Sequence, residues 1–264
     1  MDPISHPKQH LTKTLPGKAA ELLQRLRKER PRVHALTNTA AQVLTANLLL
    51  AAGAIPSLTI APEEVAAFSG MSKALLVNLG TLDDDRRAAF PIAIRTMQAK
   101  ERPWVLDPVF VESSPSRLDT ALNLLAEKPT VLRCNATEFM AITGLPDASA
   151  NHIRRYATEH DLTIAVTGAS DIVSDGQRVI STHNGHPLMA RTTAMGCAGT
   201  ALIAAFCSLA EDPFEAAAAA LVILGIVGEI TGKKVAGPGT FPASFIDELY
   251  NVDLQIIEKR AELS

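Results

Sequence analysis

Apolar and polar positions alternate along this chain in two distinct patterns. Short, mostly apolar runs stand at 33–37, 55–60, 74–79, 104–106, 130–133 and 162–166. Their brevity and aliphatic content predict buried strands. Longer stretches with apolar residues at helical spacing lie between them and predict helices at 40–51, 83–99, 117–126 and 152–159. Parallel strands need crossover connections, and a helical crossover covers a face of the sheet. The alternation therefore predicts a largely parallel sheet with helices on both sides. The runs Asp171–Ser174 and Val179–Thr182 flank Asp175-Gly176, a good hairpin turn, and predict a small antiparallel edge. The last third is helical in pattern, over 197–209, 213–230 and 241–257.

The first helical pattern begins near Ala19, so residues 1–18 are expected to form a mobile tail. This tail has neither the apolar core nor the cleavage site of a secretory signal. No long linker or internal repeat divides the remainder, and residues 19–264 are expected to fold as a single α/β domain. The longest apolar stretch, 216–227, is bounded by Glu215 and Glu229 and is short for a bilayer span. No membrane attachment is expected.

With 47% hydrophobic and 20% charged residues there is ample core material. The net charge of −3 argues against a nucleic-acid binder. The basic cluster of Arg25, Arg27, Lys28, Arg30 and Arg32 is expected to be a solvated helix end. Three cysteines, Cys134, Cys197 and Cys207, show no metal-ligand spacing, and their small odd number suits a reducing, cytoplasmic setting.

In an open parallel sheet, ligands bind beyond the carboxyl ends of the strands. Asp107 stands at such an end before Pro108, where its carboxylate would either hold Mg²⁺ or cap a turn. Asn135 and Glu138 follow the next strand at the spacing of a capping box, and a metal–phosphate role is compatible with that. Thr167-Gly168 suits either close approach of a phosphate or a plain turn. Thr192 to Thr200 opens an apolar helix with small residues, leaving N–H groups at its positive end free for an anion. Cys197 falls in that first turn, where the helix field favours thiolate, so it is a candidate base; a buried structural cysteine is the alternative. Cys207 fits the structural role. No Walker-type loop occurs, and the one G-x-G, Gly237-Pro238-Gly239, lacks a strand before it. His34, His183 and His186 are expected to be structural.

In order along the chain, several stretches together resemble the hydroxyethylthiazole kinases, a ribokinase-like family. They include Leu-Thr-Asn (36–38), Asn-Leu-Gly-Thr-Leu (78–82), Trp-Val-Leu-Asp-Pro-Val (104–109) and Leu-Arg-Cys-Asn-Ala-Thr-Glu (132–138). Ala-Val-Thr-Gly (165–168), Met-Gly-Cys (195–197) and Gly-Pro-Gly-Thr-Phe (237–241) continue the series. The resemblance implies a three-layer α/β/α sandwich with a mostly parallel central sheet. It implies ATP-dependent phosphorylation of 4-methyl-5-(2-hydroxyethyl)thiazole for thiamine salvage, with Mg²⁺. By the same resemblance Cys197 is the catalytic base, and the N–H groups around Gly196 form an anion hole. Asp107 and Glu138 hold Mg²⁺ through waters, while Arg117, Thr167 and Asn135 contact ATP. Leu58 and Ala194 contact the thiazole. The family's trimers place sites between subunits, so Asn38 would approach substrate bound largely by a neighbouring chain.

Departures concentrate near the substrate. The family's Gly-Thr-Gly-Cys is Ala-Met-Gly-Cys at 194–197, its first-helix Asn and Asp are Val43 and Leu44, and a glycine-rich stretch is replaced by Phe110 to Ser114. Two alternatives therefore stay open. One is a kinase for another small alcohol, such as a hydroxymethylpyrimidine; the other is a weakly catalytic nucleotide-binding relative.

Overall fold

The computed structural model describes residues 7–264. Eight strands form one sheet: β1 (Arg32–Leu36), β2 (Ile55–Ser57), β3 (Ala74–Asn78), β4 (Trp104–Asp107), β5 (Val131–Asn135), β6 (Thr163–Thr167), β7 (Asp171–Ser174) and β8 (Val179–Thr182). Their order is β2-β1-β3-β4-β5-β6-β7-β8. All neighbours through β6 pair in parallel, and β7 and β8 add the expected antiparallel edge.

Two cores sandwich this sheet. Over one face lie α1 (Pro7–Glu29), α2 (Gln42–Ala52), α8 (Met195–Cys207), α9 (Pro213–Gly232), α10 (Phe241–Asn251) and α11 (Leu254–Arg260). The other face carries α3 (Pro62–Met71), α4 (Asp84–Gln98), α5 (Pro115–Leu125), α6 (Ala136–Thr143) and α7 (Ala150–His160). β3 shows why the strands are apolar throughout. Ala74 and Leu76 enter the first core, Leu75 and Val77 enter the second, and no position faces water.

Helix α9 is the apolar spine of the first layer. By length and composition it could cross a membrane, yet 83% of that window is buried within the protein. Gly176 in the β7–β8 turn has φ 89°, and a Cβ there would meet the Thr158 backbone at 2.7 Å, so only glycine fits.

Three departures from expectation are instructive. The first helix begins at Pro7 rather than near Ala19, with Pro16 inside it. Leu15, Ala19, Leu22, Leu23 and Leu26 form one buried stripe, and that burial carries the helix through the proline. The expected mobility of residues 1–6 lies outside the described residues. The helical stretch 241–257 breaks at Asp253, which caps α11 by accepting from the Gln255 N–H. Arg27 explains the break from the other side. Its guanidinium donates to the carbonyls of Leu249, Tyr250 and Val252, so this member of the basic cluster is a helix C-cap rather than a solvated charge. Finally, α3 was not foreseen, because it buries only Val65 and Ser69 and shows little apolar periodicity.

Candidate active site

Strand register gathers the polar residues at one end of the sheet. Asn78 closes β3 directly beside Asp107 on β4, and Asn135 on β5 pairs with Thr167 on β6. The first turn of α8 sits above them. Asp107 is fully buried, and each of its oxygens has a partner. Oδ2 accepts from Asn78 Nδ2 at 2.6 Å and from Thr200 Oγ1 at 3.2 Å, and Oδ1 faces Arg133 Nη1 at 3.4 Å. Such burial of a carboxylate is sustainable only with this pairing.

Arg133 is the hub that sequence reading missed. Besides Asp107, its guanidinium donates to Thr167 Oγ1 at 2.6 Å. A Cβ on Gly196 would lie 2.8 Å from its Nη2, so the guanidinium lies flush against the opening of α8. Burial alone would lower the Arg133 pKa, but the neighbouring Asp107 and Glu138 charges outweigh it, and the cation persists. Arg117, expected to contact ATP, uses Nη1 within the chain. It donates to the backbone carbonyls of Leu79 and Val109 and clamps the loops after β3 and β4.

Cys197 joins the same cluster through amides. Asn38 Nδ2 donates to its Sγ at 3.4 Å and to Asn78 Oδ1 at 2.9 Å. The thiol is partly exposed, whereas Cys134 and Cys207 are buried. Its pKa is nevertheless pushed up to about 11, chiefly by burial and then by the Asp107 charge, against the lowering effect of the amides and Arg133. The thiolate expected from the helix field is therefore not the resting form; desolvation outweighs it. Ala194, which precedes α8, is left-handed at φ 66°.

Glu138 and Asn135 make a complete capping box. Glu138 Oε2 accepts from the Asn135 N–H at 2.8 Å, and Asn135 Oδ1 accepts from the Glu138 N–H at 2.9 Å. Oε1 also accepts from the Phe110 N–H at 3.0 Å, tying the loop after Asp107 to β5. Burial and the Asp107 charge raise the Glu138 pKa, so the two carboxylates feel one another. Leu58 follows the edge strand β2, which pairs with β1, and is half-buried. The three histidines are engaged in local structure: His34 with Ser57, His183 with Ser170 and Ser264, and His186 with the Leu188 N–H.

A cavity of about 200 Å³ opens beside Arg133, Thr167 and Gly196. Its lining includes the apolar Met189, Met195, Ile203, Leu221 and Leu224 and the polar Asp171 and Asn184. Burial raises the Asp171 pKa to about 6. A guanidinium and the N-terminal end of α8 thus border an otherwise largely apolar cavity.

Comparison with known proteins agrees with this geometry. Residues 23–255 match the model of the hydroxyethylthiazole kinase family. A probable hydroxyethylthiazole kinase of Agrobacterium fabrum is 40% identical over 94% of this chain and 95% of its own. The solved hydroxyethylthiazole kinase of Pyrococcus horikoshii superposes with a TM-score of 0.87 at 34% identity, covering 93% of this chain and 98% of its own. At the level of fold alone, a ribokinase-like protein of Enterococcus faecalis superposes with a TM-score of 0.67 at 14% identity, covering 87% of this chain and 93% of its own. A ribokinase-like sheet, with a thiol, a carboxylate and a guanidinium converging at a helix N-terminus, thus accompanies close sequence kinship, and the chain belongs to the hydroxyethylthiazole kinase family of kinases.

Proposed function

We propose that this protein transfers the γ-phosphoryl group of ATP to the hydroxyethyl oxygen of 4-methyl-5-(2-hydroxyethyl)thiazole, a step of thiamine salvage. The observation that carries the proposal is the placement of Cys197. A partly exposed thiol stands in the first turn of α8, hydrogen-bonded into the cluster that holds Asp107. The cavity bordered by Arg133 and Thr167 lies alongside.

Arg133, Thr167 and the open N–H groups around Gly196 would bind the phosphates, with Asn135 nearby. Their fixed charges and dipoles would favour the phosphoryl group as negative charge spreads over its oxygens. Cys197 Sγ, as thiolate, would take the proton of the substrate alcohol. The alcohol oxygen bonds to phosphorus while the bond to ADP breaks, and ADP leaves with the electron pair. Positioning dominates such transfers, so a sparsely populated base is sufficient.

The donor set fits Mg²⁺. Asp107 and Glu138 offer hard oxygens with unfavourable mutual charge, and a hydrated ion near them would relieve it. Held there through waters, Mg²⁺ would neutralise phosphate charge. On the substrate side we assign Ala194 and Asn38 to the thiazole. Leu58, after β2, would also contact the thiazole, and in a homotrimer Asn38 would approach substrate bound largely by a neighbouring chain. The exposed apolar Val43 and Leu50 on α2 and Tyr250 on α10 support such an interface. A cytoplasmic location fits three free thiols.

A second reading, a different compact alcohol, rests on Ala194 and on Met195, which lines the cavity. ADP release from Mg·ATP should depend on the thiazole alcohol. Release driven only by another alcohol, such as a hydroxymethylpyrimidine, would establish the second reading and reject the first.

A further inference from the structure

Asn78 has a place in this cluster that no site residue considered so far accounts for. It is fully buried at the end of β3. Its amide orientation is settled by its partners: Oδ1 accepts from the Gly80 N–H at 3.0 Å and from Asn38 Nδ2 at 2.9 Å. Nδ2 is thereby turned the other way, where it donates to Asp107 Oδ2 at 2.6 Å. Asn38 is locked in the same manner. Its Oδ1 accepts from the Ala41 N–H at 3.0 Å, and its Nδ2 supplies both Asn78 and the sulfur. Neither amide can present an oxygen to Cys197 without breaking these bonds.

Gly80 completes the arrangement. A Cβ there would stand 2.6 Å from Asn38 Nδ2 and 2.7 Å from Asn38 Cβ, so only glycine lets Asn38 seat against the strand end.

We infer that Asn78 is a positioning residue: its Oδ1 holds the Asn38 amide so that Asn38 Nδ2 cradles the Cys197 sulfur, and its Nδ2 ties the pair to Asp107. The cradle offers the sulfur donors only. It stabilises negative charge on the sulfur and leaves a thiol hydrogen to point away, toward the open side of the site. This inference rests on the proposed role of Cys197 as base.

The test reads the thiol directly. Cys197 is the accessible cysteine, so its alkylation by iodoacetamide can be followed by mass spectrometry on the full-length protein across pH. Asn78→Ala and Gly80→Ala should each lower the alkylation rate at a fixed pH near neutrality about tenfold, the change expected for a pKa rise of about one unit. Turnover should fall by at least as much, while the KM for ATP moves less than about threefold. Thr200→Val is the control: it removes another donor from Asp107 without touching the sulfur and should leave the alkylation rate within about twofold. Folding is checked for each by thermal melting. Alkylation unchanged in folded Asn78→Ala, or slowed equally in Thr200→Val, would overturn the cradle. A wild-type protein that alkylates as expected but does not phosphorylate the thiazole alcohol would instead remove the proposed reaction.

Discussion

Burial holds the Cys197 sulfur as a thiol at neutral pH, with its pKa near about 11. A step that needs the thiolate then draws on a small fraction, and that fraction grows tenfold per pH unit below the pKa. Turnover should therefore rise between about pH 7 and about pH 9 in the wild type. In Cys197→Asp the carboxylate is ionised throughout this range, so its profile should be flat while substantial activity remains. A flat wild-type profile would argue against thiolate as the base. Cys197→Ala should lower turnover by about 10²- to 10⁴-fold with the KM for ATP little changed. Arg133→Lys keeps a charge but loses the fork that spans Asp107 and Thr167. It should raise the KM for ATP about tenfold; an unchanged KM would move nucleotide binding away from Arg133. That residue illustrates what single-chain spacing hides. Arg133 lies inside a strand pattern, and only the pairing of β5 with β6 and the approach of α8 reveal its direction. Arg117, named by the family resemblance, holds two backbone carbonyls through Nη1.

Between elements, close backbone approach shapes the cavity. On α9, Gly225 admits the 183–191 segment; a Cβ there would meet Asn184 O at 2.5 Å. Gly225→Ala must push that cavity wall outward and should cost about 1–3 kcal/mol, lowering Tm by several degrees in a thermal melt. The opposite sign is expected at Ala194, whose φ of 66° strains an alanine. Ala194→Gly should raise stability by about 0.5–1 kcal/mol, the left-handed strain exceeding the extra entropy of glycine. A lower Tm for Ala194→Gly would show that the methyl packs usefully in the pocket. The elements themselves were legible wherever burial is two-sided or strongly periodic, as in β3 and α9. They were illegible where tertiary contact overrides local signals. The helical pattern was expected from about Ala19, yet Leu15 is buried ahead of Pro16 and the helix runs through it.

At the scale of the molecule, a parallel sheet turns residues distant in sequence into one site. Asn38, Asn78, Asp107, Arg133 and Cys197 meet because successive strands end at the same edge and α8 begins above it. Sequence reasoning found the strand ends and Cys197, but the hydrogen bonds that join them are long-range and leave no local pattern. The exposed α2 face is the complementary case. Val43 and Leu50 stay uncovered in one chain. If that face joins subunits, Val43→Glu should reduce the assembly to monomers in light scattering and depress activity through sites that need a neighbour. A wild-type monomer in that experiment would rule out the shared site.

The reaction itself is the claim on which the rest depends. Phosphorus NMR of the protein with Mg·ATP and 4-methyl-5-(2-hydroxyethyl)thiazole observes it without coupling enzymes. A new phosphomonoester signal, split by the adjacent methylene protons, should grow in step with ADP and be absent with Cys197→Ala. ADP accompanied only by inorganic phosphate, or an unchanged ATP spectrum from folded protein, would contradict it.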